Sequence, residues 1–311
     1  MTISKAASTR KWTDLRRDLR MEWDLHLMLL AAVVFVLIFR YLPMGGLIMA
    51  FQEFDIFEGF RASPWVGLTM FKRVFATREF PMVLRNTLLI SLYKILFFYP
   101  IPILVAIMLN EVTHSAYKRV VQTILYMPHF LSWVIVTGLV FDLFANTGVI
   151  NRLISMLGGE RQRFLMDASM FRSLVVGSAV WKEAGYSAII FLAAIAAIDP
   201  TLYEAAVVDG ASRMRQIIHV TIPGILPIIA ITLLLRVGTI MDANVEQIRA
   251  MYNPTVYETG DVIGTYIYRI GLTHMEYSYA TAVGLFNSVV SFTLVVLANT
   301  VSRRLVHRSL W

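Results

Sequence analysis

The sequence has 311 residues, of which 57% are hydrophobic and only 16% are charged. Soluble domains carry roughly a quarter of their residues as charged side chains, and several apolar runs here approach the ~20 residues that cross a bilayer, so a soluble fold is excluded. The absence of cysteine excludes disulfides and thiolate chemistry. The net charge of +7 does not indicate a nucleic-acid partner, because the basic residues flank apolar runs, where they set orientation and contact membrane lipid.

The apolar runs predict an all-α membrane protein with six transmembrane helices, called spans below. They are predicted at 25–43, 87–109, 121–144, 171–198, 223–241 and 278–301. Pro100 and Pro102 in span 2 and Pro128 in span 3 predict kinks, because proline removes a backbone hydrogen bond. About twenty mostly polar residues precede the first run, so no cleavable signal peptide is expected.

The polar segments between the spans complete the predicted organisation of a multi-pass protein of the cell membrane. An even number of spans places both termini on one side, and the basic clusters at the two ends of the chain indicate the cytoplasm. The predicted parts are a cytoplasmic basic segment 1–24, an extracytoplasmic segment 44–85, a core domain 86–302 with a cytoplasmic loop 199–222 and an extracytoplasmic segment 242–278, and a cytoplasmic tail 303–311.

Charged residues inside the predicted spans are the first indication of function. A charge at mid-bilayer costs at least ~2.5–3.5 kcal/mol, so such residues usually face the bundle interior or a water-filled path. Arg40 lies near the end of span 1, where its side chain can reach the interface. Lys94, in span 2, is compatible with either environment. The remaining charges are Lys182, Glu183 and Arg236.

The stretch Trp181 to Tyr186 gives span 4 a polar face. Helical spacing predicts that Lys182, Glu183 and Tyr186 share that face, and Gly185 allows a close backbone approach. Two interpretations stay open, the lining of a polar cavity or a charge pair that neutralises itself between helices. In the second, Arg236 pairs with Glu183 or with a carbonyl. A polar and aromatic cavity suits a sugar, and basic residues in it would suit a ligand that carries carboxylates.

The loop 199–222 predicts a helix–turn–helix. Asp199 can cap the first helix and Pro200 favours its first position. Gly210 suits the left-handed position that ends it. Ser212 can cap a second helix that runs to about residue 220, and Pro223 then begins span 5.

The spacing in this loop resembles that of a known family. Glu204-Ala205-Ala206, three residues, Gly210, nine residues and Val220-Thr221-Ile222-Pro223 resemble the EAA loop of ABC importer permeases, with Val220 and Ile222 as conservative departures. The stretches SPWVGL at 63–68, NTL at 86–88, DVIGTY at 261–266 and SYATAVGLF at 278–286 are similar to binding-protein-dependent sugar permeases, and within them to the LplB-like subgroup that includes alginate and aldouronate importers.

The resemblance implies a type I ABC importer permease with the MetI-like fold, which works by alternating access. Its partners would be a second homologous permease chain, two ATP-binding cassette subunits, an extracytoplasmic solute-binding protein and an oligosaccharide substrate. ATP and Mg would be bound by the partner subunits, and no cofactor by this chain. The residues that match the ATPase-coupling positions are Glu204, Ala205, Ala206, Asp209, Gly210 and Pro223. Those that match substrate-binding positions are Trp181, Lys182, Glu183, Tyr186, Arg236, Ile240 and Ala243.

Two alternatives stay open at this point. The same architecture could carry another solute, such as an amino acid or peptide. An ion-driven secondary transporter could use Glu183 as a proton site, although such proteins usually contain internal repeats. The sequence contains no G-x-x-x-x-G-K-[S/T] string, no paired histidines at metal-ligand spacing and no nucleophile–base pattern, so neither an enzyme nor a metal site is predicted for the chain by itself.

Overall fold

The structure is a computed structural model that describes residues 23–305. Residues 1–22 of the predicted basic segment 1–24 and most of the predicted tail 303–311 therefore lie outside the described residues. Helices account for most of the described chain, and an isolated antiparallel bridge joins Gln52 to Trp65. The predicted all-α class is confirmed.

Within residues 23–305, six helical stretches are long and apolar enough to cross a membrane. They are span 1 (Trp23–Phe51), span 2 (Glu79–Glu111), span 3 (Trp133–Met156), span 4 (Ala168–Ala196), span 5 (Arg213–Gly238) and span 6 (Tyr277–Thr300), the last lying in a helix that continues to Leu305. The shorter helices are Gly59–Ala62, Thr69–Ala76, Ser115–Tyr126, Pro200–Val208, Val245–Met251, Tyr257–Gly260 and Ile263–Tyr268, with a 3-10 turn at Pro254–Val256 and a π turn at Arg269–Thr273.

In the described residues 23–305, three spans contain a π-helical turn that ends two residues before a proline. The turns are Leu37–Tyr41 before Pro43, Lys94–Phe98 before Pro100, and Ile217–Thr221 before Pro223. Proline has no N–H to donate and its ring crowds the preceding turn, so a wider turn admits it without ending the helix. The kink predicted at Pro100 and Pro102 therefore takes the form of a π turn in span 2.

The predicted boundaries of span 3 are wrong. The amphipathic helix Ser115–Tyr126 ends in a 3-10 turn, Met127–Phe130, that contains Pro128. Leu131 and Ser132 are extended, and the Ser132 hydroxyl accepts a bond from Ile135 N to begin a new helix, Trp133–Phe144. The helix therefore ends and a new one begins, rather than one helix bending, because the proline is followed by a serine that caps the new helix. A short amphipathic helix, Val149–Met156, follows.

The predicted start of span 5 at Pro223 is also wrong. The second loop helix, Arg213–Gln216, passes through the π turn Ile217–Thr221 into the helix Ile222–Gly238 without interruption. The loop and span 5 are therefore joined by one continuous helix. Span 1 likewise extends past the predicted end at residue 43 to Phe51.

Three groups of buried side chains hold the spans together. Val136, Val175 and Ile248 belong to a core shared by spans 3 and 4 and the segment after span 5. A second core joins the end of span 1 and segment 44–85 to span 6, and a third joins spans 2, 4 and 5. Span 1 contributes only its last turns, such as Ala50, whereas residues Trp23–Val36 bury nothing against this chain.

The segment after span 5 is attached to spans 2 and 4 by polar contacts. Asn86 Nδ2 donates to Glu258 O at 2.9 Å and Asp261 O at 3.1 Å, and Thr87 Oγ1 accepts from Ile263 N at 2.9 Å. Arg269 pairs with Asp261 at 2.7 Å. The NTL and DVIGTY stretches, which are 175 residues apart between Asn86 and Asp261, thus form one hydrogen-bonded cluster.

Candidate functional site: a charged cavity between spans 2, 4 and 5

A cavity of about 300 Å³ lies between spans 2, 4 and 5 and the turn that follows span 5. Charged side chains of both signs line it, two basic and two acidic, so its formal charge is balanced. The lining residues are Ser91, Lys94, Ile95, Ala179, Glu183, Arg236, Thr239, Ile240, Asp242, Ala243 and Asn244. A cavity with this many convergent polar groups inside a membrane bundle indicates a ligand path rather than packing.

Arg236 is held at one edge of this cavity by two contacts. Its guanidinium lies 3.5 Å from the Glu183 carboxylate and 4.8 Å from the centre of the Phe98 ring. The Arg236 and Glu183 side chains remain 37% and 21% exposed. The ion pair expected from the sequence as one alternative is therefore present, but it is long and stays open to the cavity.

A second cavity of about 330 Å³ adjoins the first and is mainly apolar. Arg236 and Thr239 line both cavities. The aromatic rings of the second cavity belong to Phe98, Tyr99 and Phe191, and Tyr99 is fixed by bonds from its hydroxyl to Ile229 O and Thr232. The cavity lining thus changes from polar to aromatic at Arg236.

The structure brings together only part of the predicted substrate set. Glu183, Arg236, Ile240 and Ala243 line the charged cavity, whereas Trp181, Lys182 and Tyr186 do not. The predicted common face of span 4 is only partly right. Lys182 and Tyr186 share one face and contact His129, whereas Glu183 is turned by about 100° from Lys182 and faces Arg236 of span 5.

Lys182 and Tyr186 instead secure the break before span 3. Lys182 is buried and donates to His129 O at 2.7 Å, and Tyr186 stacks on the His129 ring at 3.8 Å. Gly185 lies against the same region: a Cβ there would be 2.1 Å from Leu125 O. The predicted close backbone approach at Gly185 is confirmed.

Sequence reasoning left Lys94 open and missed Asp242 and Asn244. Lys94 is buried, donates to Ala243 O at 3.0 Å and to Gln247 Oε1 at 2.7 Å, and lines the cavity. Asp242 and Asn244 follow the helical part of span 5 in a turn, where no periodicity predicts which way a side chain faces. The available signal was the asparagine that follows the apolar run, because asparagine tolerates the left-handed backbone conformation of a turn.

The loop helix Pro200–Val208 has the predicted ends. The Asp199 carboxylate accepts a bond from Thr201 N at 2.9 Å, and Gly210 adopts a φ of +72° just past the C-terminus. Ala211 N then donates to Ala206 O at 2.8 Å, the pattern of a glycine-terminated helix. Ser212 occupies the cap position of the next helix, but its side chain makes no capping bond.

The loop helix presents an exposed surface. Glu204 is exposed and has no ion pair within residues 23–305. Leu202, Val207 and Val208 are 53%, 61% and 87% exposed. Tyr203 anchors the helix to span 5 through a 2.9 Å bond between its hydroxyl and that of Thr221. An acidic side chain among exposed apolar ones is typical of a docking surface.

Comparisons with known proteins identify the class. Residues 99–308 match the family described as binding-protein-dependent transport system inner membrane component. Protein LplB of Bacillus subtilis (strain 168) is 44% identical over 291 residues, which is 93% of this chain and 90% of that protein. The polygalacturonan/rhamnogalacturonan transport system permease protein YteP of the same organism is 43% identical over 281 residues, 90% of this chain and 88% of that protein.

A solved structure agrees. A chain in the crystal structure of a bacterial alginate ABC transporter, in complex with an alginate pentasaccharide-bound periplasmic protein, is 44% identical with a TM-score of 0.88. The alignment covers 97% of this chain and 100% of that chain. The chain therefore belongs to the binding-protein-dependent transport system inner membrane component family. It is a multi-pass permease of the cytoplasmic membrane and belongs to the ABC importer class. These matches favour the predicted ABC importer permease over the alternative of an ion-driven secondary transporter.

Proposed function

We propose that this chain, together with a second homologous permease chain, forms the membrane pathway of an ATP-driven importer for acidic oligosaccharides. The observation that carries the substrate class is the position of Arg236 at the junction of a polar and an aromatic cavity. Sugars combine apolar ring faces with hydroxyl groups, so adjoining aromatic and polar surfaces suit them. An extracytoplasmic binding protein would deliver the ligand.

Two observations support an acidic ligand. Arg236 presents a planar fork of donors that matches a carboxylate, and its ion pair with Glu183 is long, at 3.5 Å. A ligand carboxylate can replace Glu183 without leaving an unpaired charge on the arginine. Relatives are named for alginate and for polygalacturonan or rhamnogalacturonan, which are polymers of this chemical kind.

Coupling to ATP hydrolysis is proposed to run through the exposed loop helix. Two ATPase subunits, which bind ATP and Mg²⁺ for the complex, would contact Glu204 and the small surface formed by Ala205, Ala206, Asp209 and Gly210. The continuous helix from Arg213 to Gly238 passes through Pro223 and carries Arg236. The 23 residues from Arg213 to Arg236 correspond to a rise of about 35 Å, so displacement of the loop is transmitted directly to the cavity.

The experiment that tests this function is stimulation of ATP hydrolysis in the complete importer reconstituted in lipid vesicles. Binding protein loaded with an acidic pentasaccharide should raise the ATPase rate several-fold over unloaded binding protein. A neutral pentasaccharide of the same length serves as the control for the acidic group. Equal stimulation by both would contradict an acidic substrate, and stimulation by neither would contradict oligosaccharide import.

A further inference from the structure

Two side chains of span 2 hold the turn that follows span 5. Lys94 Nζ donates to Ala243 O at 3.0 Å and to Gln247 Oε1 at 2.7 Å, and the Ser91 hydroxyl donates to Ile240 O. Ser91 and Lys94 lie three residues apart on one helical face. We call these contacts the span 2 clamp. Both ends of the turn are thus attached to span 2 through backbone carbonyls.

The clamped turn has an unfavourable backbone conformation. Ala243 and Asn244 have φ values of 50° and 58°, in the left-handed region that non-glycine residues rarely adopt. The Asn244 side chain stabilises the conformation of its own backbone, because its Oδ1 accepts a hydrogen bond from Gln247 N at 3.3 Å. Ala243 has no polar side chain, so its conformation depends on the bond to Lys94 and on its burial. Such residues persist only where surrounding contacts over-determine them.

The clamp reaches span 4 as well. Gln247 is fully buried, and its amide nitrogen donates to Val175 O at 2.6 Å and to Ser178 Oγ at 2.9 Å. Lys94 is 8% exposed and lines the charged cavity. A buried ammonium is tolerated only when it is hydrogen-bonded. The hydrogen bonds of Lys94 go to Ala243 O in the turn and to Gln247 Oε1.

We propose that Lys94 is a positioning residue, which holds Ala243 and Asn244 in the left-handed conformation and so sets the shape of the cavity in which Arg236 and Glu183 face the ligand. The transport consequence rests on the proposed function. The structural consequence, loosening of the turn when the clamp is removed, does not, and the two are measured separately.

The structural measurement uses the absence of cysteine from this chain. Met241, which is 1% exposed, lies between the two clamped carbonyls. In the complete complex, Met241→Cys should react slowly with a charged maleimide. Adding Lys94→Met, which keeps a long unbranched side chain and removes the donors, should raise the labelling rate about tenfold, the factor equivalent to losing one to two buried hydrogen bonds.

Two further variants separate clamping from general loosening. Lys182→Met removes another buried ammonium–carbonyl bond, to His129 O, and should leave the labelling rate of Met241→Cys unchanged. Ala243→Gly, added to Lys94→Met, should slow labelling again, because glycine adopts positive φ without the penalty of a Cβ. Three results would overturn the proposal: a labelling rate that does not rise with Lys94→Met, one that rises equally with Lys182→Met, or one that Ala243→Gly does not lower.

The transport measurement uses the chain without the cysteine probe. The half-saturating concentration of binding protein loaded with an acidic pentasaccharide should rise several-fold in Lys94→Met, with the maximal ATPase rate changed by less than about twofold, and Ala243→Gly should restore part of the loss. Lys94→Arg, which keeps donors, should lose less. Faster labelling with an unchanged half-saturating concentration would overturn the role in shaping the ligand site. A wild-type complex that does not respond to the sugar would instead refute the proposed function and leave the labelling result standing.

Discussion

Arg236 of span 5 and Glu183 of span 4 form an ion pair whose closest nitrogen–oxygen distance is 3.5 Å. Charge-assisted bonds between such groups are usually about 2.7–2.9 Å long, and partly exposed pairs contribute only about 0–1 kcal/mol. Both side chains are partly exposed to the cavity. Arg236 is therefore restrained in position while its donors remain available to a ligand.

The first prediction concerns Glu183, which under the proposed function competes with the ligand for Arg236. Glu183→Gln keeps the side-chain size and removes the competing charge. We expect the half-saturating concentration of binding protein loaded with an acidic pentasaccharide to fall by several-fold, since Arg236 is freed for the ligand carboxylate. The measurement is the ATPase activity of the reconstituted complex. An increase in the half-saturating concentration would show that Glu183 itself binds the sugar.

The second prediction concerns coupling through the loop. Glu204→Lys should abolish sugar-stimulated ATP hydrolysis while the permease still inserts in the membrane, because reversing an exposed charge disrupts docking but not packing. Glu111→Lys, at another exposed glutamate that ends a helix of span 2, is the matched control and should retain stimulation. Normal stimulation of the Glu204 variant would contradict the assignment.

The third prediction tests the turn at Gly210, whose φ is +72° and around which a Cβ would meet no atom within 4 Å. Gly210→Ala should therefore cost about 1–2 kcal/mol through backbone strain alone and weaken ATPase stimulation. Gly138→Ala also meets no atom within 4 Å but lies in a helix without positive φ, so it should be neutral or slightly stabilising. Similar stimulation in the two variants would show that the left-handed turn is not required.

The fold was largely predictable because its signals are local. The length of the apolar runs located most spans, and Asp199 and Gly210 correctly predicted the two ends of the loop helix. Pro223 misled the prediction of where span 5 begins, since whether a proline ends a helix depends on the neighbouring turn, here a π turn. At Pro128 the sequence predicts a kink within one span, whereas the helix ends there and Ser132 caps a new one.

The site was harder to predict because it depends on contacts between spans. Glu183 and Lys182 are adjacent in sequence, yet one faces Arg236 and the other His129 O. Which of two neighbouring charges faces the cavity depends on the rotation of span 4 against spans 3 and 5. The role of Lys94 depends on a carbonyl 149 residues away, at Ala243, which no local pattern indicates.

The fourth prediction concerns Gly185, where a Cβ would lie 2.1 Å from Leu125 O. Gly185→Ala should force span 4 away from helix Ser115–Tyr126 and lower stability by about 1–3 kcal/mol, the usual effect of overpacking. Thermal unfolding of the purified permease in detergent measures the change. Gly177→Ala, on the same helix with no atom within 4 Å of the added Cβ, is the matched control. An unchanged unfolding temperature for Gly185→Ala would contradict the close approach.

The central claim is that Arg236 recognises an acidic sugar within the translocation pathway. Its most direct test is the ratio of the uptake rates of an acidic and a neutral pentasaccharide into vesicles that contain the complete importer, measured for the wild type and for Arg236→Gln. We expect the wild-type ratio to favour the acidic sugar and to fall at least about tenfold in the variant, as expected when a charged hydrogen-bond donor is lost. An unchanged ratio, with both sugars slowed equally, would contradict the claim.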